Sequence, residues 1–284
     1  MNTLRYLTQS PADLFWPGVL TLLIVTAICS LLSVVVVLKR MAFVGQGVSH
    51  AGFGGVGVAA ALGVATSTPA TLAIVLAFCL ASAFLIAALS RRRDTKPDTA
   101  IGIVLVGAMA LGSVLLHLAH EWYPTERVPG WEGILFGSIL FSGWADAMWS
   151  AGVASGILAL ATWFRRPVVA WAFDESAAEA MGVPVGAVRT LVLILVTLAI
   201  VLAMKLVGVV LATALLVLPG ATALALSDRW RAVLTLSMLV GLLGAASGIV
   251  ISFEADWPSG ASVVLALVAF YAAARGIRAV SGRR

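Results

Sequence analysis

Nine stretches of this chain are each long and apolar enough to cross a bilayer as a helix: 16–38, 41–63, 70–89, 98–117, 146–164, 187–204, 206–226, 232–253 and 258–274. About 20 residues at about 1.5 Å each cover the hydrocarbon thickness. Lipid offers no partner to backbone amides and carbonyls, so such segments must close their hydrogen bonds internally, as helices. A soluble protein of 284 residues does not bury a composition that is 61% hydrophobic and 11% charged. The predicted fold class is an all-α polytopic membrane protein of about eight or nine transmembrane helices. It forms one membrane domain over residues 1–284, with no soluble domain attached. The apolar piece 131–141 is too short to span and is expected to be re-entrant or interfacial. No cleavable signal is expected, because the first apolar run lacks a basic leader and has the length of a true span.

The net charge of +5 does not point to nucleic acid. Fifteen of the eighteen basic residues fall in alternate short loops: Lys39 and Arg40; Arg91, Arg92, Arg93 and Lys96; Arg165, Arg166 and Arg189; Arg229 and Arg231; Arg275, Arg278, Arg283 and Arg284. Only Arg5, Arg127 and Lys205 lie on the other side. The positive-inside rule places the basic loops in the cytoplasm, with the N-terminus outside and the C-terminus inside. Asp13, Glu121, Glu126, Glu132, Asp146, Glu254 and Asp256 fall on or near the opposite side. Those acids suit loop solubility, and equally a surface that receives a cation or its carrier.

The second span holds the most telling side chain. His50 lies between apolar stretches, and an ionisable group at bilayer depth usually faces a pore or a partner rather than lipid. Imidazole also binds zinc and similar divalent ions. Gln46 sits four residues earlier, so both side chains share one side of a helix. Gly47, Ala51, Gly55, Ala59 and Gly63 form an adjacent small-residue stripe suited to close helix packing. Glycines at 45, 47, 52, 54, 55 and 57 also permit an irregular backbone. A histidine that merely bonds a neighbouring carbonyl is the plainer reading of His50. One helix cannot complete a tetrahedral site, whereas a symmetric dimer brings two copies of His50 and Gln46 together. His117, His120 and Glu121, near the outer end of the fourth span, offer a second candidate cluster where an arriving ion is first received. Interfacial histidines without metal explain them as well.

The connection 165–186 is the longest on the basic side. Asp174 can cap a short helix over 175–181, and Gly182 followed by Pro184 can end it. Such a helix either lies on lipid or docks a cytoplasmic partner. In the seventh span Pro219 removes an amide donor and either shapes the bundle or marks a hinge. Asp98 reads as a structural N-cap of the fourth span. Cys29 and Cys79 form no paired-thiol motif and read as small buried residues. Enzyme chemistry is not apparent: no Gly-x-x-x-x-Gly-Lys-Ser/Thr phosphate loop occurs, His120-Glu121 lacks the second histidine of a His-Glu-x-x-His site, and adjacent Ser49 and His50 point about 100° apart on a helix.

Four stretches together resemble the permease subunits of bacterial metal-ion ABC importers that take up zinc, manganese or iron(II): 41–63 with Gly45-Gln-Gly-Val-Ser-His50-Ala; Asp98-Thr-Ala-Ile-Gly-Ile-Val; Leu135-Phe-Gly-Ser-Ile-Leu140; and 173–182, continuing through Leu206-Val-Gly-Val to Leu216-Val-Leu-Pro219. The resemblance implies a type II ABC importer-like bundle and a non-catalytic permease working as a homodimer. It also implies two cytoplasmic ABC ATPase subunits docked at Asp174, Glu175, Ala178, Met181 and Gly182, and an extracytoplasmic metal-binding protein that delivers the ion. ATP would act through the partner, and the permease would carry no intrinsic cofactor. In the family the second-span motif usually carries an aspartate and a histidine along the ion path. The histidine corresponds to His50, and the aspartate position is Gln46 here. Replacing carboxylate by a neutral amide leans the expectation toward zinc over manganese. Rival readings are a gradient-driven secondary cation transporter with His50 as relay, an ABC permease for a larger metal chelate, and a structural membrane scaffold.

Overall fold

The structure, a computed structural model of the chain, describes residues 12–64, 69–90, 96–123 and 143–280, without the side chains of 12–15, 69 and 205–207. The expected re-entrant piece 131–141 and the stretch 135–140 lie outside the described residues, as do Glu126, Glu132, Arg127 and the basic residues at 91–93. Among the described residues ten helices follow one another: α1 Ala12–Leu38, α2 Ala42–Ala61, α3 Pro69–Leu89, α4 Pro97–Trp122, α5 Trp144–Trp163, α6 Arg165–Phe173, α7 Glu175–Ala180, α8 Val185–Leu226, α9 Trp230–Ala255 and α10 Ser259–Val280. Among the described residues there is no strand.

Seven of the nine predicted spans qualify on length and hydropathy. The other two depart for separate reasons. α2 is 20 residues long, but its glycines, Gln46 and His50 lower its hydropathy. It needs little affinity for lipid because it packs against α3, α4 and α8. α5 qualifies only together with α6, from which it is bent by 70°.

α8 runs through the middle of the molecule, touching α1, α2, α3, α5, α9 and α10. Its 42 residues are two helical halves broken at Gly208 (φ 82°, ψ 166°). As one straight rod they would extend about 63 Å. Instead both ends return to α6 and α7: Arg189 pairs with Glu175, and Trp230, just past the far end, stacks edge-on against Phe173. The halves therefore double back, and the reversal is at Gly208 rather than at the predicted boundary near 205. Only glycine enters that backbone region without strain. Gly208→Ala should cost about 1–3 kcal/mol, read as a lowered thermal midpoint of the detergent-solubilised protein.

Side chains with little or no exposure from α1, α3, α8 and α10 fill the core, including Leu22, Ile86, Leu195, Ile200, Leu215 and Leu267. Small polar groups tie the helices. Ser33 Oγ in α1 accepts the Gly220 amide at 2.8 Å, one residue after Pro219, so α1 holds the proline segment of α8. Ser237 Oγ donates to the Ser30 carbonyl at 2.6 Å, joining α9 to α1. Cys29 and Cys79 are buried and unpaired, and the Cys79 thiol donates to the Val48 carbonyl at 3.6 Å.

Two local expectations are corrected. α4 begins at Pro97 after an extended Lys96, so Asp98 is an acid in the first turn and not the N-cap. The proline fixes the helical φ first and moves the start one residue upstream. The glycines of α2 give no irregular backbone, since α2 is helical throughout Ala42–Ala61. They serve contact instead: a Cβ on Gly55 would sit 2.9 Å from Val75 Cα, and one on Gly57 2.7 Å from the Gly112 carbonyl oxygen. Gly63 lies past the helix end, at φ 69°.

Candidate functional site

α2 is enclosed on most sides but leaves one stripe open. Gly45, Gly47, Val48, Ser49 and Ala51 are buried, Phe43 and Gln46 are exposed, and His50 is half-buried. These three recur at helical spacing, so they form a single face. The His50 ring turns back along its own helix, with Nδ1 3.0 Å from the Gln46 carbonyl oxygen. A carbonyl can only accept, so Nδ1 is the donor in that bond, and in the neutral ring the Nε2 lone pair is then the one open to a ligand. Ser49 Oγ donates to the same carbonyl at 2.9 Å. Tying one ring nitrogen to a carbonyl is how metal-ligating histidines are commonly oriented. The plainer reading, a carbonyl-bonded histidine, is thus true of Nδ1 and says nothing against a ligand at Nε2.

Among the described residues no three His, Cys, Asp or Glu come together as a metal site. That includes the candidate receiving cluster. His117 Nε2 lies 3.6 Å from Glu121 Oε1 on an exposed face, while His120 Nδ1 is 3.3 Å from the Leu116 carbonyl oxygen. His117 and Glu121 face one another one turn apart, and His120 is engaged separately.

The second candidate region is α7. Asp174 Oδ1 accepts the Ala177 amide at 2.9 Å, as its capping position requires. At the other end Gly182 (φ 78°) reverses the chain. The Val183 amide bonds the Ala178 carbonyl and the Gly182 amide bonds the Glu179 carbonyl, so the helix stops at Ala180, one residue before the predicted end. The expected docking residues divide by position. Met181 and Gly182 are exposed, Asp174 is occupied as the cap, and Ala178 is fully buried. Ala178 therefore faces the bundle and anchors α7, with no surface to offer a partner. Glu175 is half-buried: it pairs with Arg189 of α8 and lies 3.5 Å from Lys39 Nζ at the end of α1.

Lys39, Arg189 and Trp171 were not singled out in the sequence. Lys39 and Arg189 read only as loop charges, although acids at 174, 175 and 179 among so many bases were a signal for local ion pairs. Their contacts show that the basic connections at 39–40, 165–189 and 229–231 meet at one end of the molecule. Tyr123, at the C-terminal end of α4, lies beside Gly63 at the C-terminal end of α2.

These features define a polytopic α-helical membrane protein with an imidazole on the open face of a central helix and an anchored amphipathic helix between two spans. The proteins described as the ABC 3 transport family match residues 12–276, and the chain belongs to that family of metal-ion ABC permeases. It is the non-catalytic membrane subunit, ATP hydrolysis residing in a separate subunit. It is 34% identical over 252 residues to the manganese transport system membrane protein MntC of Halalkalibacterium halodurans, covering 89% of this chain and 83% of that one. It is 32% identical over 261 residues to a probable iron transport system membrane protein of Haemophilus influenzae, covering 89% and 90%. Its fold is similar to a chain of PsaBC from Streptococcus pneumoniae in complex with Fab, with a TM-score of 0.78, 29% identity and coverage of 91% and 90%. An inward-facing putative metal-chelate type ABC transporter shares the fold alone, at TM-score 0.64 and 21% identity over 92% and 86%.

Proposed function

We propose that this chain is the membrane-spanning subunit of an ATP-driven importer of divalent transition-metal ions, with His50 on the ion path. The observation that carries the reading is the half-buried imidazole on the open stripe of α2, its Nδ1 fixed and its Nε2 available. Two copies of the chain would set two such stripes opposite each other and complete the coordination one copy lacks. Two cytoplasmic ATPases would dock on the exposed side of α7, around Met181 and Gly182. An extracytoplasmic binding protein would hand over the ion at the acidic face, where His117 and Glu121 stand ready as first contacts. Basic connections meeting at one end support an orientation with the N-terminus outside and the C-terminus in the cytoplasm. The membrane is the bacterial inner membrane.

Zinc is the favoured ion. Imidazole and carboxamide form a neutral donor pair, and manganese depends more on carboxylate oxygen. A second reading, manganese, is favoured by the names of relatives such as the manganese transport system membrane protein of Halalkalibacterium halodurans. ATP-dependent uptake of both ions into proteoliposomes holding the permease, its ATPase and its binding protein decides between them. Uptake that needs a proton or sodium gradient instead of ATP would sink the reading altogether. Gln46→Asp gives the sharper comparison. It would place a carboxylate on each α2 of the dimer and should raise manganese uptake relative to zinc by about five- to tenfold. An unmoved ratio would locate selectivity away from α2.

A further inference from the structure

We infer that Lys39 is a positioning residue that carries the movement of α7 to the ion-binding helix α2. The inference rests on the importer reading and adds the route by which the ATPase side reaches His50.

Lys39 sits where three elements converge. Its Nζ is 3.5 Å from Glu175 Oε2, at the start of α7. The same ammonium lies 4.5 Å from the centroid of the Trp171 ring, on α6. Glu175 also holds Arg189, at the start of α8. The Lys39 side chain is only 15% exposed and Trp171 is 2% exposed, so water screens the Lys39–Trp171 contact weakly, while Glu175 and Arg189 stay open to solvent on one side. A half-buried cation over an indole face with a carboxylate beside it is held from two directions, unlike a solvated surface lysine. Behind it, Phe173 is edge-on to Trp230 at 5.5 Å, so α6 leans on α9 as well.

The link from Lys39 to the site is short and stiff. Only residues 39–41 separate α1 from α2. Arg40 takes a left-handed conformation (φ 55°), which is unusual for a side chain of that size. The Met41 amide reaches back to the Val36 carbonyl at 2.8 Å and the Arg40 amide to Val37 at 3.1 Å. That interlocked turn is the one that ends helices sharply, here built without glycine. Gln46 is the fifth residue of α2, about 6 Å along it, and His50 is one turn further. A displacement of α7 that drags Glu175 therefore moves the Lys39 end of the turn, and the turn has no slack in which to lose the motion. Arg189 gives α8 the same handle, and Met204 of α8 packs where a Cβ on Gly52 would stand, on the enclosed side of α2 two residues after His50.

The test uses the assembled complex in proteoliposomes, measuring zinc uptake and phosphate release in the same sample, with ATPase copurification as a check. Lys39→Met keeps the aliphatic stem and removes the charge, while Glu175 retains Arg189. The ATPase should copurify as in wild type and hydrolysis should persist. Zinc imported per ATP hydrolysed should fall about tenfold, and Lys39→Arg, which keeps charge and ring contact, should restore most of it. Trp171→Phe, with a weaker ring face, is the second variant and should lower the ratio about two- to threefold. An unchanged zinc-to-ATP ratio in Lys39→Met overturns the inference, even where uptake and hydrolysis both fall, because Lys39 then only holds the complex together. Should Lys39→Met fail to assemble, a wild-type ratio in Trp171→Phe overturns it equally. A wild type that imports neither zinc nor manganese on ATP refutes the importer reading itself, so the two failures are told apart by which protein shows them.

Discussion

His50→Ala is expected to cut ATP-dependent metal uptake by about 100-fold or more while leaving the permease folded and bound to its ATPase. Removing even an outer-shell partner of a metal site typically costs about 10- to 100-fold, and a ligand should cost no less. Stability should hardly change. The ring's hydrogen-bond contacts are with its own turn, the Gln46 carbonyl at 3.0 Å and Ser49 Oγ at 3.5 Å. An effect within about 0.5 kcal/mol is expected for such a position. The measurement pairs zinc uptake with the thermal midpoint of the purified complex. Wild-type uptake in the variant would make the histidine a structural detail, and loss of uptake with a collapsed midpoint would make it a packing residue.

Gly57→Leu should do the opposite and destroy the fold while touching no candidate ligand. A Cβ at Gly57 would stand 2.7 Å from the Gly112 oxygen and 2.8 Å from Gly112 Cα, so the obstacle is backbone that no rotamer change relieves. From the other side, a Cβ at Gly112 would stand 2.8 Å from the Phe53 oxygen. Helices in lipid associate through this kind of close contact, with no hydrophobic gain to offset its loss. Overpacking commonly costs about 1–3 kcal/mol, and here the upper end or more is expected. Gly107→Ala, on the outer face of α4 with nothing within 4 Å, is the matched control. Its midpoint should be unchanged or slightly raised, because alanine is the better helix former. Similar behaviour of the two variants would mean that α2 and α4 do not meet at Gly57.

The sequence announced membrane segments because lipid imposes its own pattern: long apolar runs with charges confined to short loops. It also marked α7, since a cap, an acidic first turn and a terminal glycine are local signals that need no distant partner. Asp174 and Gly182 act as those signals require. It could not separate the uses of the α2 glycines, which permit irregular backbone and close packing alike. The neighbour decides, and Val75 and Gly112 are distant in the chain. It grouped Ala178 and Glu175 with the docking residues, and had no means of showing that Ala178 is buried or that Glu175 pairs with Arg189.

By itself, then, the sequence determined that this chain lives in a membrane, which loops share a side, that a short helix interrupts the spans, and that His50 with Gln46 marks one face of the second helix. Each of these depends on local composition and periodicity, which any stretch of chain carries with it. Tertiary structure alone decided that this face stays open while the rest of α2 is enclosed, that α8 reverses at Gly208, and that Lys39 meets Glu175 across 136 positions of sequence. Those outcomes depend on which helix lies against which, and close contact between surfaces far apart in the chain leaves no periodic trace in either one.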